Sequence, residues 1–456
     1  MKRFPYIFIL IFALFSSAVF AIETKEDKKI REVSEIDIIT EETKTQEAIT
    51  KPLEESEVFT KPEQERSFID KFFSKVVINT KLGPIFILPI LDSSVDLGPN
   101  YGVMPIWAIR DKKRKAIGAV IAPSINYNEY LKLTLTYRHY LFPGDKQLIV
   151  GRVKYSTVVQ RELFLRYFNP EFMGSRYRVN AEFHHLIQGK ASYYGYGPNS
   201  RKEDRTTYSL AKTGEEFTVS IPLPQNLYLD FTHMFFRYKV NEGPVKTVPQ
   251  LGDIFPETYA YASVSRDFMT HRFALFYDST DHPTVPKKGT YFGLAADISI
   301  ENFVSDYSYK IYSAQFKHYF NYKKDSPFIT AVHALIQDQK GEDVPFYALP
   351  VLGESTGLRS VGDGRYVDGG KFVFNIEERI TISRLPILKF IGELEISPFI
   401  DMGTVFGTLS GLKSENLKFG YGVAVRLVIK PQVVVAADFA LGREGTNVII
   451  HVGYPF

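Results

Sequence analysis

From about Val76 to the last residue, apolar and polar side chains alternate in short runs. In "LKLTLTYRHY" (131–140), Leu131, Leu133, Leu135 and Tyr137 fall on one face of an extended chain, and Lys132, Thr134, Thr136 and Arg138 fall on the other. "YGVAVRLVIK" (421–430) repeats the pattern, with Val423, Val425 and Leu427 opposite Gly422, Ala424 and Arg426. Short turns such as "FPGDKQ" and "IKPQ" separate many of these runs. The chain stops on "NVIIHVGYPF", where the same alternation puts Val448, Ile450, Val452, Tyr454 and Phe456 on one face of a final strand. A soluble β-sandwich also alternates. The number of long strands, the frequent Tyr and Phe, and a last strand that must pair to close the sheet predict instead a transmembrane antiparallel β-barrel of about 16 strands over residues 76–456. About five of these strands follow Gly370.

The start of the chain has a different pattern. "MKRFPYIFILIFALFSSAVFA" carries Lys2 and Arg3, an apolar run and small residues before Ala21, the layout of a signal peptide over residues 1–21. The alternative, a membrane anchor, would need an apolar core of ~20 residues. Residues 22–75 hold 15 acidic and 10 basic side chains and no glycine. This composition reads as a polar periplasmic linker that cannot bury enough apolar surface to fold. Its end, "SFIDKFFSKV", spaces Phe68, Ile69, Phe72, Phe73 and Val76 as a short amphipathic helix, either packed on the base of the barrel or lying at an interface or in the lumen.

Composition sharpens the picture. Aromatics make up 14% of the chain, with 28 Tyr, 37 Phe and one Trp, and mean hydropathy is only -0.11. Both suit strands that show lipid one face and a polar lumen the other. Cysteine is absent, which removes disulfides, thiolate nucleophiles and Cys-ligated metals. A net charge of +3 does not argue for nucleic acid. No G-x-S-x-G or H-E-x-x-H occurs, and the adjacent His184 and His185 would point to opposite faces of a strand. The sequence therefore offers no catalytic residue, metal site or cofactor site.

One long irregular stretch, 341–370, interrupts the strands. It contains "LPVLGESTGLRSVGDGRYVDGG" and runs into "KFVFNIEERITI". A loop with five glycines from Gly357 to Gly370 needs anchoring to be ordered. Arg359 offers a planar fork of donors suited to carboxylates. In the next strand Asn375, Glu377 and Arg379 share the polar face, so Glu377 is expected in the lumen and Glu378 toward lipid near the rim.

In these residues the chain resembles the bacterial surface antigen superfamily of outer-membrane β-barrels, which includes the barrel assembly factor BamA, its relative TamA and the two-partner secretion transporters. The loop motif corresponds to Leu358, Arg359, Ser360 and Val361, followed by Arg365 and Asp368. The Asn-x-Glu-x-Arg strand corresponds to Asn375, Glu377 and Arg379, and the Asp-x-Gly strand to Asp401 and Gly403. The hairpin "FYDSTDHPTVPKKGTYF" (276–292), the stretch "YYGYGPNS" (193–200) and the strands carrying Asp438 and Gly442 also resemble family segments. Ser360 and Val361 stand where the family has glycine and an aromatic, and residues 22–75 are too short and too little patterned for a POTRA domain.

The resemblance implies a loop folded into the lumen and locked there by Arg359 with Glu377 and Asp401. Charges that merely line a wet lumen are the alternative. It also implies a bacterial outer-membrane location in contact with lipid, and biogenesis by the barrel assembly machinery, with Tyr454 and Phe456 as the assembly signal. The implied role is assistance to protein or lipid insertion or translocation. A passive pore or structural surface antigen is the second reading.

Overall fold

A computed structural model describes residues 77–456, apart from positions 95–97, 112, 114–115, 145–146, 176, 283–284, 303, 324–325, 388–389 and 430–432. The expected signal peptide, the polar linker and its amphipathic end lie outside the described residues.

The sheet opens with β1 (Val77–Thr80), β2 (Gly83–Ser94), β3 (Gly98–Asp111), β4 (Ala116–Ile121) and β5 (Ser124–Asn128). It continues through β6 (Lys132–Leu141), β7 (Leu148–Ser156), β8 (Arg161–Asn169), β9 (Arg178–Tyr193), β10 (Thr206–Pro222) and β11 (Leu227–Glu242). Then come β12 (Arg266–Asp278), β13 (Gly289–Ser299), β14 (Tyr309–Asn321) and β15 (Phe328–Lys340). The two short strands β16 (Val351–Leu352) and β17 (Tyr366–Val367) pair with each other inside the 341–369 connection, and Val367 also bridges Tyr196 in parallel. β18 (Gly370–Ile387), β19 (Phe390–Phe406), β20 (Lys418–Ile429), β21 (Val433–Gly442) and β22 (Gly445–Val452) complete the wall.

Every wall strand runs antiparallel to its sequence neighbour. β4 and β5 both pair with β3 and with β6, so they are one strand broken at Pro123, which has no N–H to give the ladder. The 20 segments of the sheet therefore make 19 strands. This corrects the expectation of about 16. The five strands from Gly370 onward are as expected, and the excess lies before Gly341. There a four-residue strand such as β1 is too short to show an alternation, and strands of nine or ten residues run close upon one another.

The alternation works as it does in a membrane barrel: the apolar face is the exposed one. Leu135 is 49% exposed and its neighbour Thr136 only 4%; Val425 is 40% exposed and Arg426 is fully buried. Glu378 is on the outer face and accepts from the Thr330 hydroxyl, close to the rim where β15 begins at Phe328. No helix among the described residues is long and apolar enough to cross a membrane; the crossing is made by strands. Long connections (194–205, 243–265, 341–369, 407–417) emerge at one end of the barrel, and mostly short turns at the other. At the long-loop end α1 (Leu251–Ile254) and α2 (Pro256–Ala262) pack with an aromatic cluster that includes Tyr193, Tyr208, Phe236, Phe268, Phe346 and Tyr347.

The chain end departs from the expected geometry. β22 stops at Val452, and Gly453 takes φ +103, a left-handed conformation that breaks the two-residue alternation. Val448 stays on the outer face, whereas Tyr454 and Phe456 are turned inward and buried. β2 and β22 approach within 8 Å, but no ladder joins them among the described residues.

Candidate functional site

The 341–369 connection leaves the wall at β15 and folds back inside. Its tip is held by an apolar cluster of Leu352, Leu358, Val361 and Tyr366 against Leu335, Val373 and Val405 of the wall. That burial fixes the backbone, and side chains then fix its register.

Arg359 is the centre of the contacts, 3% exposed in the lumen. Its Nε and Nη2 donate to the two carboxylate oxygens of Asp401, both at 2.8 Å, and its backbone N–H donates to Oδ2 at 3.2 Å. Nη1 donates to Asp438 Oδ2 at 2.9 Å and reaches Glu377 Oε2 at 3.4 Å. The guanidinium lies 3.4 Å from the ring centre of Phe399. Burial alone would lower the Arg359 pKa, but the carboxylates of Asp401, Glu377 and Asp438 outweigh it and hold the group above its ordinary value.

The structure thus brings together Arg359, Glu377 and Asp401, with two differences of weight. Asp401 is the two-point partner of Arg359. Glu377 is chiefly the partner of two other guanidiniums: Arg426 Nη2 and Nη1 donate to it at 2.8 and 3.0 Å, and Arg379 Nε at 2.7 Å. Three arginines therefore face three carboxylates in a buried cluster spread over the loop, β18, β19, β20 and β21. Such a cluster tolerates the loss of no single member cheaply, because each loss leaves a buried charge unpaired at a cost of about 3–5 kcal/mol.

Sequence reasoning missed Arg426 and Asp438 as members of the cluster. The signal was present: on their lumen faces they stand as single charges among small residues, Gly422, Ala424 and Arg426 on one strand and Ala436, Asp438 and Ala440 on the next. Small neighbours leave the room that the incoming loop fills.

The other motif residues converge on the same loop. Asn375 donates to Asp401 Oδ1 and to the Gly357 carbonyl, both at 2.8 Å. Arg379 donates to the Pro286 carbonyl at 3.3 Å, in a hairpin turn where Asp281 Oδ1 accepts the N–H of Lys287 and Lys288. Arg365 lies outside the main cluster: it grips Glu444 with Nε at 2.8 Å and Nη2 at 2.7 Å, and donates to Ser200 Oγ and to the Ser200 carbonyl at 2.9 and 2.8 Å. Gly197 N–H donates to the Val367 carbonyl, so the 193–200 stretch docks on the loop beside Asp368. Ser360 is buried against the cross-strand pair Gly420 and Gly442, and Val361 belongs to the apolar cluster. Tyr454 and Phe456 lie below the cluster on the short-turn side, where Tyr454 lies over Arg379.

No group of three or more metal-ligating side chains occurs among the described residues. The geometry is that of a loop held in a lumen by charge.

The Omp85 superfamily domain matches residues 142–447. Among solved structures, the chain is similar to BamA from Haemophilus ducreyi lacking POTRA domains 1-3, with TM-score 0.51 and 13% identity over 81% of this chain and 74% of that one. It is also similar to CdiB from Acinetobacter baumannii (TM-score 0.41, 10% identity) and CdiB from Escherichia coli (TM-score 0.43, 10% identity), covering 81% of this chain and 60% and 61% of theirs. No curated protein matches the chain. The family found is the one its loop, strand and hairpin motifs pointed to, and the matched residues make up about two thirds of the chain: this bacterial outer-membrane β-barrel belongs to the Omp85 superfamily.

Proposed function

We propose that the barrel inserts proteins into the outer membrane or translocates them across it, with the 341–369 loop as its internal working part. The observation that carries this reading is the five-point hold on Arg359. A loop returned to the lumen and pinned by three carboxylates suits a barrel that must stay sealed and yet admit a chain better than it suits an open passive pore. Ser360 and Val361 favour the second reading, a passive surface antigen, only if they loosen the loop tip. Both are buried, Val361 within the apolar cluster and Ser360 between two glycines with its hydroxyl unpaired, so it is the packing of Val361 that supports an intact loop.

The test is reconstitution. The purified barrel in lipid vesicles should speed the folding of a small unfolded outer-membrane barrel, and Arg359→Ala should lose most of that gain. No acceleration by the unaltered protein, for any such client or secreted chain, would contradict the proposal.

A further inference from the structure

The last residues of the chain approach the charge cluster from the side opposite the loop. After Gly453, whose N–H donates to the Val434 carbonyl at 2.9 Å, the chain leaves the sheet. Tyr454 lies with its ring centre 3.7 Å from the Arg379 guanidinium and 5.0 Å from that of Arg426, and its hydroxyl donates to Glu395 Oε2 at 2.8 Å. Phe456 stacks on His333, with ring centres 5.2 Å apart and planes 16° apart, and packs with Ala331 and Tyr319. The Tyr319 hydroxyl donates to the Phe456 carbonyl at 3.3 Å. This is a socket of two cations, a carboxylate and an aromatic wall, filled by Tyr454 and Phe456.

From that socket two unbroken lines of contact reach Arg359. Phe456 lies on His333, whose Nδ1 is 2.9 Å from Asn375 Oδ1; Asn375 donates to Asp401, which holds Arg359. Tyr454 lies on Arg379 and Arg426, which share Glu377, the third carboxylate of Arg359. The geometry points to a latch: residues 453–456 and the 341–369 loop, which enter from opposite ends of the barrel, are two halves of one closure, and releasing either loosens the other. With Tyr454 gone, Arg379 and Arg426 lose the ring that covers them and water reaches Glu377. With Arg359 gone, Asp401 and Asn375 lose the partner that fixes them, and with it His333 loses the fixed seat on which Phe456 stacks.

The absence of cysteine makes the coupling directly measurable. Ala331→Cys, covered by Phe456, reports on the tail; Val361→Cys, buried at the loop tip, reports on the loop; Thr232→Cys, buried on another part of the wall, is the control. Each is labelled with a water-soluble maleimide on the folded, heat-modifiable barrel. Arg359→Gln should raise the labelling rate at Ala331→Cys about fivefold or more, and Tyr454→Ala, which removes both the ring over Arg379 and Arg426 and the bond to Glu395, should raise it at Val361→Cys, with Thr232→Cys unchanged. Where Arg359→Gln fails to fold, Arg359→Lys keeps the charge without the two-point grip. Faster labelling at Val361→Cys in the Arg359 variant without any change at Ala331→Cys would overturn the latch, as would an equal rise at all three positions.

Discussion

Ser360 occupies the space that a side chain on Gly420 would need: a Cβ added there would lie 2.4 Å from Ser360 Oγ, and one added to the facing Gly442 would lie 2.6 Å from Ser360 Cβ. The residue that departs from the family's loop motif thus sits in a notch made by two glycines paired across β20 and β21. Gly420→Ala should therefore push the loop tip outward and raise its protease sensitivity. Ser360→Gly in the same chain should restore protection, since it removes the colliding atoms. A Gly420→Ala barrel with a fully protected loop would show that the notch does not seat Ser360.

Glu377→Gln keeps the shape of the side chain but leaves three guanidiniums short of a buried charge. It should lower the unfolding free energy by about 3–5 kcal/mol, read as an earlier urea midpoint of the refolded barrel. Asp401→Asn removes the two-point hold on Arg359 alone and should expose the loop more than it destabilises the wall. Equal effects of the two changes on both readouts would mean that the cluster does not divide in this way.

Arg365 and Glu444 tie the loop tip to the β21–β22 turn at the rim, with Glu444 partly open to water. Arg365→Ala should cost about 1.5–3 kcal/mol, the range for hydrogen bonds to charged groups, and less than Glu377→Gln. Urea unfolding of the two variants side by side decides the order.

Lipid and lumen faces should respond oppositely to charge. Leu135→Arg places a cation on the outer face and should cost about 2–4 kcal/mol if it falls near the membrane midplane. Asn126→Lys, on the lumen side where Asn126 faces Asn100, should stay within about 1 kcal/mol. Folding yields in vesicles would show the two faces reversed if Asn126→Lys proved the worse of the pair.

Much of this is legible in the sequence. Period-two runs such as Leu131–Tyr137 give faces directly, because a strand's alternation depends on nothing distant. The pairing of Arg359 with Asp401 follows from motif resemblance, not from the residues' own spacing: 42 positions separate them, and only the fold of the loop back onto β18 and β19 brings them together. Arg426 reads as a polar-face residue and Asp438 as part of a family-like strand; their small lumen-facing neighbours show that room is left there, but not that the 341–369 loop fills it. The chain end misled for the opposite reason. Alternation carried Tyr454 and Phe456 to the outer face, and one left-handed glycine, Gly453, turned them in. A "GYPF" ending, with Gly and Pro flanking Tyr454, was the sign available in the sequence that the strand stops early.

The central claim is that Arg359 keeps the 341–369 loop inside the lumen. The most direct measurement is labelling of Val361→Cys with a membrane-impermeant maleimide on intact cells that display the barrel, with and without Arg359→Ala. The account predicts a protected thiol when Arg359 is present, because Val361 is buried with Leu352 and Leu358, and ready labelling when it is absent. A thiol that reacts freely with Arg359 in place, or stays protected without it, would contradict the account.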